Sequence, residues 1–271
     1  MLIDSDPYRV HPGATVDLTD IDPRDTGDFT DGKKAGKRLL REMTDQLADL
    51  QRRFYANGRH RLLIVLQATD TGGKDGAIRH VFGGVNPAGV TVAPFKKPTT
   101  SELAHDYLWR VHQRVPGDGQ ITVFNRSHYE DVLIVRVHDL VERERWERRY
   151  AHINDFERML ADEGTTIRKI FLHISKDEQR ERLQARLDNP RKHWKFNKDD
   201  LAERRLWDDY QQAYTDMLER TSTDAAPWFV VPADRKWYRN LVVSSIVIET
   251  LENLHLPYPG AEEDLDEVVI P

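Results

Sequence analysis

Residues 62–76 read LLIVLQATDTGGKDG. The first five are apolar without alternation, the pattern of a short strand buried on both faces. Thr69 to Gly73 then form a loop, and a helix is expected from Lys74 to about residue 82. A glycine-rich loop between a buried strand and a helix presents backbone N–H groups to phosphate oxygens, and the helix N-terminus adds positive potential. Lys74 is spaced to reach a β or γ phosphate, with Thr71, Gly72, Gly73, Asp75 and Gly76 around it. Relative to G-x-x-x-x-G-K-[ST], Ala68 replaces the first glycine and Asp75 the Mg²⁺-binding hydroxyl. The bland alternative is a strand-to-helix turn whose glycines serve packing, with a solvated lysine. Asp70 favours the phosphate reading. A carboxylate inside such a loop repels phosphate unless it serves a metal or accepts a proton from the attacking group.

Working outward, apolar residues at helical spacing predict a helix over 33–55, ended by Asn57-Gly58. Further strands are expected at 90–93, 121–124, 167–174 and 228–231. Helices are expected from Thr99 to 115, from about 129, and over 142–163, 175–187, 199–220 and 235–254. Capping boxes are read at Thr99/Glu102 and Ser175/Glu178. Strands alternating with helices predict an α/β fold, a mostly parallel five-stranded sheet covered on both faces. Residues 1–32 read as an extended lead-in, 33–257 as a single domain, and 258–271 as an acidic tail.

A second constellation, FNRSHYED, spans 124–131 after the strand at 121–124. Phosphoryl transfer needs groups on a neighbouring strand end to compensate moving charge. Arg126 suits that role, while Glu130 and Asp131 are candidates to serve a metal directly or through water. A helix start capped by Ser127 explains Ser127 and Glu130 but not Arg126. The third feature is basic: Arg180, Arg182, Arg186, Arg191, Lys192, His193, Lys195 and Lys198, with Trp194 and Phe196 interleaved. Such runs are usually solvated faces, but acidic partners thin out between Pro190 and Lys198. A basic loop between helices is where a phosphate-closing lid is expected, over about 186–205. Lys96 and Lys97 add to the same surface, and Phe95 is a candidate to stack on a base. Trp146, Trp207 and Trp228 read as core, and Trp194 as the exception.

The 271 residues carry 46 acidic and 40 Lys plus Arg side chains, a formal charge of -6 that on its face argues against a polyanion partner. That sum conceals segregation, because carboxylates gather in the lead-in and tail and cations around the loop and lid. No cysteine is present, which excludes a disulfide scaffold, a thiolate zinc site and a cysteine nucleophile. The N-terminus lacks the pattern of a secretory signal and no apolar run suits a membrane span, so the cytoplasm is the expected compartment.

Taken with VFGGVNPAGV, ELAHDYLWRVHQRVPGDG, LHISKDEQRERLQARLDNPRKHWKFN and APWFVVPADRKWYR, these motifs make the chain resemble polyphosphate kinase family 2 from about Tyr8 to Tyr258. The resemblance implies a P-loop kinase fold of the thymidylate-kinase type with a helical lid. It implies Mg²⁺-assisted phosphoryl transfer from inorganic polyphosphate to nucleotides, with Mn²⁺ as an alternative ion. Asp70, Lys74 and Arg126 match the family's catalytic positions, Asp70 as the metal-binding aspartate. Lys96, Lys97, Arg186, Lys192, His193 and Lys195 fall on the polyphosphate groove. Asn125 departs from the aspartate common among relatives, which shifts weight to Asp70, Glu130 and Asp131. The FNRSHYED form is most like the AMP-accepting class, which makes ADP and then ATP. Implied partners are polyphosphate, adenine nucleotides with guanine nucleotides as a further class, and a second copy of the chain as dimer or tetramer, without nucleic acid or membrane. An NTP-dependent nucleotide kinase and a non-catalytic polyanion binder are the competing readings.

Overall fold

The structure is a computed structural model, and it describes residues 2–260. The acidic residues of the tail, from Glu262 on, lie outside the described residues. The lead-in is more than extended chain. It makes a 3-10 turn at Asp6–Tyr8 and a two-residue strand, β1 (Arg9–Val10). It also buries Val10, Val16, Leu18 and Phe29.

Helix α1 (Gly32–Asn57) ends where expected, with Gly58 in the left-handed region at φ 62°. Strand β2 (Arg61–Ala68) leads through the phosphate loop into α2 (Lys74–Val81). Strand β3 (Val90–Pro94) follows. The expected helix from Thr99 to 115 is instead two short pieces, α3 (Thr100–Leu103) and α4 (Trp109–His112). Its capping box is present in full, but Asp106 Oδ1 accepts from the N–H groups of Leu108 and Trp109 and starts a new turn.

After β4 (Ile121–Asn125), the stretch from 129 is a 3-10 turn (His128–Asp131) and a short α5 (Ile134–Val137). Then come α6 (Arg143–Asp162), β5 (Thr165–His173) and α7 (Lys176–Leu187). Ser175 caps α7, but the Glu178 carboxylate turns to Arg182 Nε at 2.6 Å, so the second capping box is only half formed. A 3-10 turn (Pro190–Lys195) precedes α8 (Asp199–Arg205) and α9 (Trp207–Thr221). The single long helix expected over 199–220 is broken at Leu206, which lets Trp207 join the core. Strand β6 (Trp228–Pro232) and α10 (Lys236–Asn253) complete the fold.

Among the described residues the sheet has six strands, not five, in the order β1-β6-β5-β2-β4-β3. All pairs are parallel except β1 with β6, where Val10 faces Trp228. A two-residue strand carries no periodicity, so the sequence could not announce it. Along β2, Leu62, Ile64 and Leu66 point to the core shared with α1, α2 and α10. Leu63 and Val65 point to the opposite core, shared with α6 and α9. This alternation makes the α/β/α sandwich. It also brings the loop after β2 and Arg126 after β4 to the same sheet end, where parallel sheets bind ligands.

Candidate active site

The phosphate loop is drawn tight at its base. Gly72 N–H donates to Thr69 O at 3.0 Å, and Thr71 takes a left-handed φ of 63°. A side chain at Gly72 would collide with the Cβ of Ala68, so the glycine allows the close approach that Ala68 leaves open. Gly73, at φ 101°, stands at the start of α2. Lys74 is buried, and its Nζ donates to Ala68 O at 2.9 Å. Burial first and Arg126 second push its ammonium down to about 8, against the pull of Asp70, Glu130 and Asp75.

Arg126, at φ 62°, is held by its N–H to Leu66 O at 3.1 Å. Its Nη2 meets Asp70 Oδ1 at 2.7 Å, and Nη1 lies 3.9 Å from Glu130 Oε2. Burial lowers its pKa, but Glu130 and Asp70 outweigh burial and raise it. Asn125 Nδ2 donates to Asp75 Oδ1 at 2.7 Å, which fixes the carboxylate standing in the place of the usual hydroxyl. Asp131 is elsewhere. It pairs with Arg149 Nη1 at 3.0 Å and lines neither cavity described below. Burial pushes its carboxyl up to about 6, despite Arg149 and Arg110.

Two cavities meet at this loop. The larger, about 1110 Å³, is lined by Lys74, Lys96, Lys97, Arg186, Lys192 and Lys195 and by Gly72, Gly73, Asp75 and Gly76. It also takes in Lys33, Lys37, Arg79 and Lys236, cations on three helices that the sequence reading missed. His193 is not among its lining. Its Nε2 bonds to Leu187 O at 2.8 Å. The smaller cavity, about 260 Å³, combines Glu130, Asp199, Asp200 and Glu203 with Trp207, Tyr210 and Tyr214. Asp70, Arg126 and Asp200 line both. Residues of the basic loop and α8 therefore lie over the site, at the place expected for a lid.

Beneath the loop, two buried arginines replace solvated ones. Arg182 Nη1 donates to Thr71 O and Gly72 O, each at 3.0 Å, and Nη2 to Ala233 O at 2.6 Å. Arg239 Nη1 donates to Gly73 O at 3.1 Å, and burial, then Arg182 and Arg79, lower it to about 10. Phe95 is buried, edge-to-face with Phe124 at 4.8 Å and with Arg110 over its ring at 5.4 Å, which leaves little of the ring for a nucleobase to stack on. Trp146, Trp207 and Trp228 are buried as expected, and Trp194 is 78% exposed.

No group of three or more His, Asp or Glu converges as a metal cage among the described residues. Asp70 and Asp75 nevertheless line the basic cavity beside the loop. One or two carboxylates completed by substrate phosphate oxygens are the donor set that Mg²⁺ takes in such enzymes, so the residues fit that ion. No helix among the described residues is long and apolar enough to cross a membrane.

The chain is 58% identical over 263 residues to the AMP/ADP-polyphosphate phosphotransferase of Meiothermus ruber, covering 97% of this chain and 98% of that protein. It is 46% identical to the ADP-polyphosphate phosphotransferase of Rhodopseudomonas palustris, over 96% of this chain and 93% of that one. The crystal structure of Polyphosphate Kinase 2 from Arthrobacter aurescens TC1 superposes with a TM-score of 0.93 at 48% identity, covering 97% of this chain and 93% of that chain. The family model Polyphosphate kinase 2 (PPK2) matches residues 30–257, which span the loop, Arg126 and the basic segment after α7 alike. The chain belongs to the polyphosphate kinase 2 family.

Proposed function

We propose that this protein is a polyphosphate:AMP/ADP phosphotransferase, which moves phosphoryl groups from inorganic polyphosphate to AMP and then to ADP. The observation that carries the reading is the meeting of two unlike cavities at one ion pair, Asp70 with Arg126. The cation-lined cleft suits a long polyanion. The smaller cavity, with carboxylates and aromatic rings, suits a nucleoside and its hydroxyls. An ordinary NTP-dependent kinase would need to bind only a short phosphate chain, and the run of cations from Lys33 to Lys195 exceeds that need. A non-catalytic polyanion binder would have no use for the carboxylate-rich acceptor side.

In this reading Lys74 and the N–H groups of the loop hold the terminal phosphate of polyphosphate. Arg126 lies at the junction and compensates equatorial oxygens as charge spreads in a loose transition state. Asp70 fixes Arg126 and orients the attacking phosphate oxygen of the acceptor. The acceptor oxygen forms the new P–O bond as the bridging oxygen of polyphosphate leaves with its electron pair, and no phosphoenzyme is needed. Asp70 and Asp75 would hold Mg²⁺ or Mn²⁺, which supplies charge neutralisation at the phosphates. Use of guanine nucleotides, self-association and a cytoplasmic location belong to the same proposal. They are supported by the family resemblance.

The test is incubation with polyphosphate, Mg²⁺ and AMP in the absence of ATP. ADP should appear first and ATP after it. Neither product, or product only when ATP is the donor, would sink the reading.

A further inference from the structure

A second ionic cluster lies inside the fold and outside both cavities. Glu157 of α6 and Lys169 of β5 are 1% and 0% exposed, and Lys169 Nζ meets Glu157 Oε2 at 2.6 Å. Lys169 also donates to Thr221 O at 2.6 Å and to the Tyr129 hydroxyl at 2.8 Å. The other oxygen of Glu157 accepts from Tyr129 OH at 2.7 Å and from His128 Nε2 at 3.1 Å. His128 Nδ1 has no partner, so the ring donates through Nε2 alone. A buried ion pair seldom repays its desolvation, and an apolar pair of similar volume is often as stable. Such a pair calls for a role other than stability.

Its place in the chain supplies one. His128 and Tyr129 are consecutive, and both end on a single oxygen of Glu157. They sit between the two side chains that this segment delivers to the site, Arg126 and Glu130. Arg126 takes the left-handed φ of 62°, a conformation that a non-glycine residue keeps only when its surroundings over-determine it. One end of the segment is fixed by Arg126 N–H to Leu66 O. The other end is tied at Asp131, whose main-chain carbonyl and carboxylate accept from Arg149 Nη1 of α6 at 2.9 and 3.0 Å, so His128 and Tyr129 are the points at which the turn between them is held. We infer that Glu157, with its charge kept in place by Lys169, is a positioning residue that clamps His128 and Tyr129 and so holds Arg126 against Asp70. The inference rests on the phosphotransfer reading for its kinetic consequence, but not for its structural one.

The test compares two double variants, each removing the ion pair without leaving a lone buried charge. E157Q/K169M keeps an oxygen that can accept from His128 and Tyr129. E157L/K169M removes it. The expected result for E157L/K169M is a fall in kcat of about tenfold or more, with the acceptor KM within about twofold, because misplacing a catalytic group costs turnover. Hydrogen exchange should accelerate over 125–131 in that variant. E157Q/K169M, which keeps the acceptor oxygen but not its charge, should lie between the wild type and E157L/K169M in both measurements. If E157L/K169M does not unfold cooperatively, H128F/Y129F removes the two donors, leaves the ion pair, and carries the same expectation. A wild-type kcat, unchanged exchange over 125–131, or an equal loss in E157Q/K169M overturns the inference. If the wild type itself makes no product from polyphosphate, the functional reading fails, while the exchange measurement still decides the clamp.

Discussion

At the scale of single residues, Asp70 and Lys74 make the sharpest predictions. Asp70→Asn keeps size and removes the charge that fixes Arg126. Turnover should fall by about 10²–10³-fold, with the thermal midpoint nearly unchanged. Loss of the fold in place of turnover would show that Asp70 is structural. Lys74 gives a pH dependence whose sign follows from its burial. With its ammonium held down to about 8, the free enzyme loses that positive charge as pH rises through 8. Below 8 the charge is present and polyphosphate is bound. The ratio kcat/KM for polyphosphate should therefore fall above about pH 8, because this ratio reports the free enzyme. A profile flat to about pH 10, the ordinary range of lysine, would contradict the assignment.

The residue scale also shows what the sequence makes legible. Gly72, Gly73 and Lys74 are recognisable because a tight phosphate loop permits few side chains at those spacings, and Arg126 because a helix cap accounts for its neighbours but not for it. Arg182 and Arg239 were not recognisable as supports. In a run of charged helix residues, nothing distinguishes an arginine that turns inward to backbone carbonyls from one that faces water. Asp131 misled for the converse reason. Its neighbour Glu130 faces the site, while Asp131 is taken by Arg149, whose approach is a matter of tertiary packing.

At the scale of elements, the lid carries the next prediction. Lys192 and Lys195 lie on the 3-10 turn between α7 and α8 and line the basic cleft. Replacing both by Gln should raise the KM for polyphosphate on the order of tenfold, about 1.4 kcal/mol, and change kcat much less. An unchanged KM would remove these side chains from the binding surface. The elements built on continuous apolar patterns, α1, β2, β5 and α10, were read to within two residues at each end. The broken ones were not. α8 and α9 share one continuous helical period, and only the docking of Trp207 separates them. The split between α3 and α4 depends on one Asp106 carboxylate competing for backbone donors.

At the scale of the whole molecule, the acidic sum of -6 coexists with a cationic cleft. Asp17, Asp20, Asp22 and Asp25 of the lead-in surround a different cavity, together with Tyr8 and Tyr238. The KM for polyphosphate should therefore rise steeply as salt is raised from about 0.05 to 0.2 M, despite the acidic total. Insensitivity to salt would argue that the cations are not at the binding surface. The same lead-in ties Ile3 N–H to Ser245 Oγ at 2.8 Å, and Arg24 to the buried Asp234, whose carboxylate also caps Ser175 at the start of α7. Deleting residues 1–28 should lower the thermal midpoint by more than about 5 °C.

The outermost strand has a consequence for biosynthesis. β1 leaves the ribosome about 220 residues ahead of its partner, Trp228 and Phe229 of β6. At about 5–20 residues per second, the lead-in waits on the order of ten to forty seconds for a strand to pair with. During that interval Val10, Val16, Leu18 and Phe29 have no completed core to enter. The carboxylates interspersed among them, at Asp17, Asp20, Asp22, Asp25 and Asp28, keep the nascent segment hydrated and self-repelling until then. The acidity that first seemed to argue against a polyanion partner thus has a use in the unfinished chain.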